Sequence, residues 1–228
     1  MSSRRDDFVV DTAWLQNHLD APGLRIVDCD TRDAYRRAHI PGAVFAEDAP
    51  YKDPDDRRFV MKPQQFAEAM SKLGIGEETD VVAYDTNGVS ASRLWWCLRY
   101  FGHTKVRVLD GGWQAWLAEG RPVSAEEHKA APARFTPRVD ESVFASGDYV
   151  LANLARPDVV VLDVRSDAEW TGERAPGGQR PGHIPGSVHL EWLNSLAPGD
   201  VRRLKAESEL REMFEACGIT PEKEIVTI

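Results

Sequence analysis

His39-Ile40-Pro41-Gly42-Ala43-Val44 and His183-Ile184-Pro185-Gly186-Ser187-Val188 are one hexapeptide written twice, 144 residues apart. The same spacing carries Gly74-Ile75 onto Gly218-Ile219, and Asp80-Val81-Val82-Ala83-Tyr84 onto Glu224-Ile225-Val226-Thr227-Ile228. Upstream of the hexapeptide the spacing is 135, so that Trp14 falls on Tyr149, Leu19 on Leu154, Pro22 on Pro157 and Asp28 on Asp163. The difference is an insertion of nine residues between Trp170 and His183, rich in Gly and Pro and carrying Glu173, Arg174 and Arg180. Self-similarity at a fixed period marks a duplicated unit, and 228 residues accommodate two domains.

Each copy alternates helix and strand. Asp11 reads as the N-cap of a short helix bearing Trp14, Leu15 and Leu19, followed by a buried strand over Arg25 to Cys29. A helix with Pro63 in its first turn then places Phe66, Met70 and Leu73 on one face and stops at Gly74; its counterpart places Leu210, Phe214 and Cys217 on the same stripe. Both helices run into short apolar strands, Val81 to Tyr84 and Ile225 to Ile228. The first copy continues through the loop Asp85-Thr86-Asn87-Gly88-Val89-Ser90 into a helix (Ala91 to Phe101), a strand (Val106 to Leu109) and a last helix opened by Gly111-Gly112-Trp113. The pattern predicts an α/β protein of two domains, each a mostly parallel sheet flanked by helices: residues 1–124, a linker over 125–142, and 143–228. The second copy is expected to be present only up to the loop that follows its last strand, because the counterpart of Asp85 would be residue 229.

Composition narrows the classes of function. Twenty-eight basic against 37 acidic residues give a net charge of −9, which argues against nonspecific binding to nucleic acid or to an anionic membrane. No apolar run approaches the roughly 20 residues of a membrane span, and Met1-Ser2-Ser3-Arg4-Arg5-Asp6-Asp7 lacks a signal-peptide core, so a cytoplasmic location is expected. Cys29, Cys97 and Cys217 form neither an even disulfide framework nor a CxxC zinc motif and read as small core hydrophobes. Asp53-Pro54-Asp55-Asp56 reads as a solvated turn without metal-ligand spacing. His39 and His183 read as turn residues bonded to local backbone, and Asp28 and Asp163 as anchors of the turns after their strands. Trp95, Trp96, Trp113 and Trp116 have the helical spacing of core packing.

The chemistry is expected where a parallel strand ends and a helix begins, because main-chain N–H groups and the helix dipole hold anions there. A cysteine opening such a loop would have its thiolate favoured. The first copy has Asp85 at that place, which can accept the same N–H bonds but cannot carry a transferable sulfur. Asp85 therefore marks a catalytically silent copy.

Tyr35-x-x-x-His39-Ile40-Pro41-Gly42-Ala43, Gly182-His183-Ile184-Pro185-Gly186-Ser187, Leu162-Asp163-Val164-Arg165 and Leu109-Asp110-Gly111-Gly112-Trp113 resemble the signatures of the rhodanese family. The tandem arrangement, the Asp in the first loop and the run Gly218 to Thr227 are similar to the two-domain thiosulfate and 3-mercaptopyruvate sulfurtransferases. The resemblance implies a cofactor-independent enzyme. A second-domain cysteine, expected immediately after Ile228, would take sulfane sulfur from an anionic donor as a persulfide and pass it to cyanide or another thiophilic acceptor. It also implies donor binding by basic residues near the domain interface, matched best by Arg174 and Arg180, with Asp163 and Arg165 supporting the loop. Position 229 is open to three readings: a chemically altered cysteine such as a persulfide, a companion polypeptide that completes the domain, or a noncatalytic remnant. The alternatives in function are a binding or scaffold protein and a phosphatase-like relative with a loop one residue longer.

Overall fold

A computed structural model describes residues 4–47, 51–175 and 180–228. The chain divides into two compact units, Met1–Val143 with Gly199–Arg203, and Phe144–Pro198 with Leu204–Ile228. Among the described residues no helix is long and apolar enough to cross a membrane.

Unit 1 is a five-stranded sheet in the order β1-β5-β4-β2-β3, comprising β1 (Val9–Val10), β2 (Leu24–Asp28), β3 (Val44–Phe45), β4 (Asp80–Tyr84) and β5 (Val106–Leu109). Every pairing is parallel, with Asp28 of β2 level with Tyr84 of β4 and with Phe45 of β3. The helices are α1 (Thr12–Asn17), α2 (Arg32–Arg37), α3 (Pro63–Lys72), α4 (Val89–Tyr100) and α5 (Gly112–Ala118). Asp11 caps α1 as its position predicts, its carboxylate accepting from the Trp14 N–H at 2.6 Å. Alternate strand residues point to opposite faces, which splits the core in two. Val27, Val81, Ala83 and Val106 pack with Phe66, Leu94 and Leu98, whereas Ile26, Val82, Tyr84 and Leu109 pack with Leu15, Ile40 and Trp116.

The predicted linker is ordered against unit 1. Ala133 N–H bonds to the Ser71 carbonyl at 3.0 Å, Arg138 N–H bonds to the Phe101 carbonyl at 2.9 Å, and Phe135 is buried edge-on against Phe66. Gly74 makes this approach possible: its φ of +70° ends α3, and a Cβ there would lie 2.6 Å from Ala130 Cβ. Asp53 departs from a solvated turn, because it is buried and takes the Asp55 N–H at 2.8 Å. A carboxylate that organises its own turn is drawn inward by those bonds.

Unit 2 has β6 (Val159–Asp163), β7 (Val188–His189) and β8 (Glu224–Thr227) in the parallel order β7-β6-β8, with α6 (Gly147–Asn153), α7 (Asp167–Thr171) and α8 (Glu207–Ala216). Its buried cluster of Val150, Val161 and Val226 is small. Leu210 and Phe214 of α8, with Cys217 just beyond it, are half-buried, whereas their counterparts Phe66, Met70 and Leu73 are fully buried. In unit 1 the covering groups come from α4 and Phe135, for which the described residues of unit 2 have no counterpart.

Phe135→Ala should lower the stability of unit 1 by about 3 kcal/mol in urea denaturation, as for a buried aromatic. Phe144→Ala, at a side chain 52 % exposed, should stay within about 0.5 kcal/mol. Equal effects would contradict the docking of the 130–138 stretch on unit 1.

Candidate active site

In unit 1 the strand-to-helix mouth is filled from within. Asp85 follows β4, and its carboxylate accepts four main-chain N–H bonds: from Asn87 at 3.0 Å, Gly88, Ser90 at 2.6 Å and Ala91 at 3.1 Å. Ser90 and Ala91 belong to the first turn of α4, whose N–H groups have no partner within the helix. The side chain thus occupies the position at which such a mouth would hold a free anion. The loop is held from the other side by Trp113 N–H, which donates to the Asp85 carbonyl at 2.9 Å. Gly112 is obligatory there, since a Cβ would stand 2.1 Å from that carbonyl oxygen.

Acidic groups surround this mouth. Asp28, at the end of β2, is 2 % exposed and takes the Tyr84 hydroxyl at 2.6 Å and the Asp30 N–H at 2.8 Å. Burial pushes the Asp28 carboxyl up to about 6 despite those bonds. Asp30 is raised by burial and by neighbouring Asp85, although Thr86 donates its hydroxyl to it at 2.6 Å. The Cys29 thiol is driven well above its ordinary range by burial and by Asp85, Asp28 and Asp30, so it is no nucleophile. Burial likewise pushes Cys97 up to about 12.

Unit 2 reproduces the scaffold with a basic residue in place of Asp30. Val164 N–H bonds to the Ile228 carbonyl at 3.0 Å, as Cys29 N–H bonds to the Tyr84 carbonyl at 2.8 Å, so Ile228 stands where Tyr84 stands. Asp163, fully buried, receives the Arg165 guanidinium on both oxygens (Nε at 2.9 and 3.1 Å, Nη2 at 2.5 Å) and the Arg165 N–H at 3.0 Å. Burial would raise this carboxyl, but the bonds from Arg165, with His189 adding, hold it below its usual range. Arg165 Nη2 also donates to the Gly182 carbonyl at 3.0 Å, tying the turn after β6 to the start of the repeated hexapeptide. By position in the repeat, Arg165 replaces Asp30.

The structure therefore joins Asp163 and Arg165. Arg174 and Arg180 are both exposed, one on each side of residues 176–179, which lie outside the described residues. Arg174 N–H bonds to the Ala168 carbonyl at 2.9 Å behind α7. Glu169 is held below its usual range by its Ser166 hydrogen bond first, with Arg174 contributing. The expected nucleophile at position 229 also falls outside the described residues.

His39 and His183 bond to backbone, but not only locally. His39 reaches the Tyr35 and Glu126 carbonyls at 2.7 and 3.1 Å, and His183 the Trp170 carbonyl at 2.9 Å. Sequence reasoning missed Trp170 and His189. Trp170 stacks on two imidazoles, with His183 at 3.5 Å and His189 at 4.7 Å between centroids and each pair of rings nearly parallel. The signal was available: the repeat sets Trp170 on Tyr35 and His189 on Phe45, planar rings in both copies.

Gly112→Ala should destabilise unit 1 by more than the about 1–2 kcal/mol of a left-handed residue, because it also displaces the Asp85 carbonyl. Gly120→Ala, also at positive φ but with nothing within 4 Å, should cost only that amount; equal urea midpoints would contradict the close approach. The Asp28 carboxyl carbon should titrate with a midpoint near 6 by 13C NMR. Because this folded value exceeds the unfolded value of about 3.9, the native state holds the extra proton between them, and Asp28's contribution to stability falls as pH rises through that window. A midpoint near 4 would contradict the burial argument.

The family model described as Rhodanese-like domain matches residues 11–119 and 146–228. Sulfur carrier protein TtuD of Thermus thermophilus is 35% identical over 240 residues, covering 99% of this chain and 83% of its own. Thiosulfate sulfurtransferase of Bos taurus is 36% identical over 228 residues, covering 91% of this chain and 76% of its own. The crystal structure of SseA from Escherichia coli, described as a 3-mercaptopyruvate sulfotransferase, superposes with a TM-score of 0.84 at 28% identity, covering 96% of this chain and 87% of that one. With two matched segments that follow the internal duplication, the chain belongs to the rhodanese family, as a tandem member.

Proposed function

We propose that the chain is a sulfurtransferase of the thiosulfate sulfurtransferase type, with unit 2 as its catalytic unit. The observation that carries this reading is the Asp85 cradle: four main-chain N–H groups converge on one anion at the end of β4. The duplicated backbone bond from Val164 to Ile228 supports an equivalent mouth after β8. A cysteine bonded to the Ile228 carbonyl would set a thiolate in that cradle, with Arg165 in place of Asp30 as its charged neighbour.

The reaction is two displacements on sulfur and needs no cofactor. The thiolate attacks the sulfane sulfur of thiosulfate, forming the cysteine S–S bond while the donor S–S bond breaks and sulfite leaves with the electron pair. Cyanide, or another thiophile, then attacks the outer persulfide sulfur; the new bond forms and the thiolate recovers its electrons. With 3-mercaptopyruvate the bond broken is C–S, and the pyruvate carbon takes up a proton. Arg174 and Arg180, both exposed within the inserted segment, are the proposed donor-binding groups. We place the protein in the cytoplasm. A carrier role, as in the name of the Thermus relative, would use the same persulfide and differ in its acceptor.

Incubation with thiosulfate and cyanide should yield thiocyanate, assayed as its iron complex. Arg174→Ala with Arg180→Ala should raise the thiosulfate KM by about tenfold and leave kcat within a few-fold, as for uniform binding of an anionic donor. Absence of thiocyanate with thiosulfate and with 3-mercaptopyruvate would remove the enzymatic reading and leave the scaffold alternative.

A further inference from the structure

We infer that His189 is a positioning residue for sulfur transfer: it holds the Arg165 carbonyl and thereby sets the turn that carries the Arg165 guanidinium. The inference rests on the reading of unit 2 as the catalytic unit. His189 ends β7 in register with Asp163 at the end of β6. Its Nε2 lies 3.0 Å from the Arg165 carbonyl, and since a carbonyl only accepts, Nε2 carries the proton. Its Nδ1 faces the Asp167 carboxylate at 3.7 Å. Its ring stacks on Trp170 at 4.7 Å between centroids, and Trp170 stacks on His183 at 3.5 Å. The ring can neither tilt nor swing without breaking the stack, so the N–H is aimed at the turn following Asp163.

The duplication supplies an internal control. Unit 1 has the same three positions as Tyr35, His39 and Phe45, with Tyr35 stacked on His39 at 3.9 Å and 5.3 Å from Phe45. Stacking is therefore common to both units and serves the fold. What differs is the polar edge. Phe45 offers no N–H, the residue at the Arg165 position is Asp30, and the residue at the Asp167 position is Arg32, which lies over the Phe45 ring at 5.1 Å. Only the unit with the cationic turn carries a ring nitrogen to fasten it. A hydrogen-bonded group one step behind a charged side chain governs its aim, and a misplacement of about 1 Å is enough to cost two orders of magnitude in rate.

The test is the variant that unit 1 already displays. His189→Phe keeps a ring in the stack and removes the bond, whereas His189→Gln returns an N–H of similar reach. We expect His189→Phe to lower kcat for thiocyanate formation by about tenfold or more with KM little changed, and His189→Gln to recover a substantial part of the loss. Near-UV circular dichroism and melting temperature should match wild type for His189→Phe. Wild-type kcat in His189→Phe would overturn the inference, as would equal losses in the Phe and Gln variants. Should His189→Phe fail to fold, 15N NMR of the wild-type imidazole decides: the Nε2–H tautomer or imidazolium supports the bond, and an Nδ1–H tautomer overturns it. A wild-type protein without sulfur transfer from either donor would instead remove the catalytic reading on which the inference stands.

Discussion

Main-chain N–H groups that converge at the mouth of a helix must be given an acceptor, and everything at this site follows from that requirement. In unit 1 the loop after β4 and the first turn of α4 aim four such groups at one point, and the Asp85 carboxylate satisfies them. Buried unsatisfied donors cost about 1–3 kcal/mol each, so the acceptor is part of the fold as well as of any chemistry. The same geometry explains Gly112, which lets α5 come close enough for Trp113 to hold the loop from outside.

One scaffold, used twice, then separates structure from chemistry. Features shared by the two units, namely the parallel strands, the strand-end aspartates, the stacked ring pair and the bond that fixes the end of β4 or β8, serve the fold. Features that differ lie at the strand ends. Unit 1 gathers Asp28, Asp30 and Asp85, with burial first and the neighbouring carboxylates second raising Asp28 and Asp30, while unit 2 replaces Asp30 with Arg165, which pairs with Asp163. An anionic nucleophile and an anionic donor are disfavoured in the first setting, and the second replaces that acidic field with a neutral ion pair. On the proposed reading the first unit is silent for two reasons, a residue that cannot carry sulfur and a field that would not activate one that could.

Much of this was legible in the residues. The duplicated hexapeptide and its constant spacing yielded the α/β architecture, since helical and strand periodicities recur in the same order in both copies. Asp163 and Arg165 were expected together as supports of one loop through the family resemblance, and the structure joins them as an ion pair. Burial was harder to read: Leu210, Phe214 and Cys217 have the same stripe as Phe66, Met70 and Leu73, yet periodicity shows which face is apolar and not what covers it. The docking of Phe135 and the inward turn of Asp53 depend on contacts distant in sequence or on self-capping, neither of which leaves a periodic trace. Trp170 and His189 lie outside the hexapeptide, on either side of it and its insertion, so it takes the fold to stack them.

On the proposed reading, the mouth after β8 cradles a sulfur anion where the mouth after β4 cradles a carboxylate. Intact-mass measurement of the protein after incubation with thiosulfate, followed by peptide mapping, tests it most directly. We expect a gain of one sulfur atom, reversed by a thiol reductant or by cyanide, on a cysteine joined to the Ile228 carbonyl. Sulfur found on Cys29, Cys97 or Cys217, or no gain in mass at all, would contradict it.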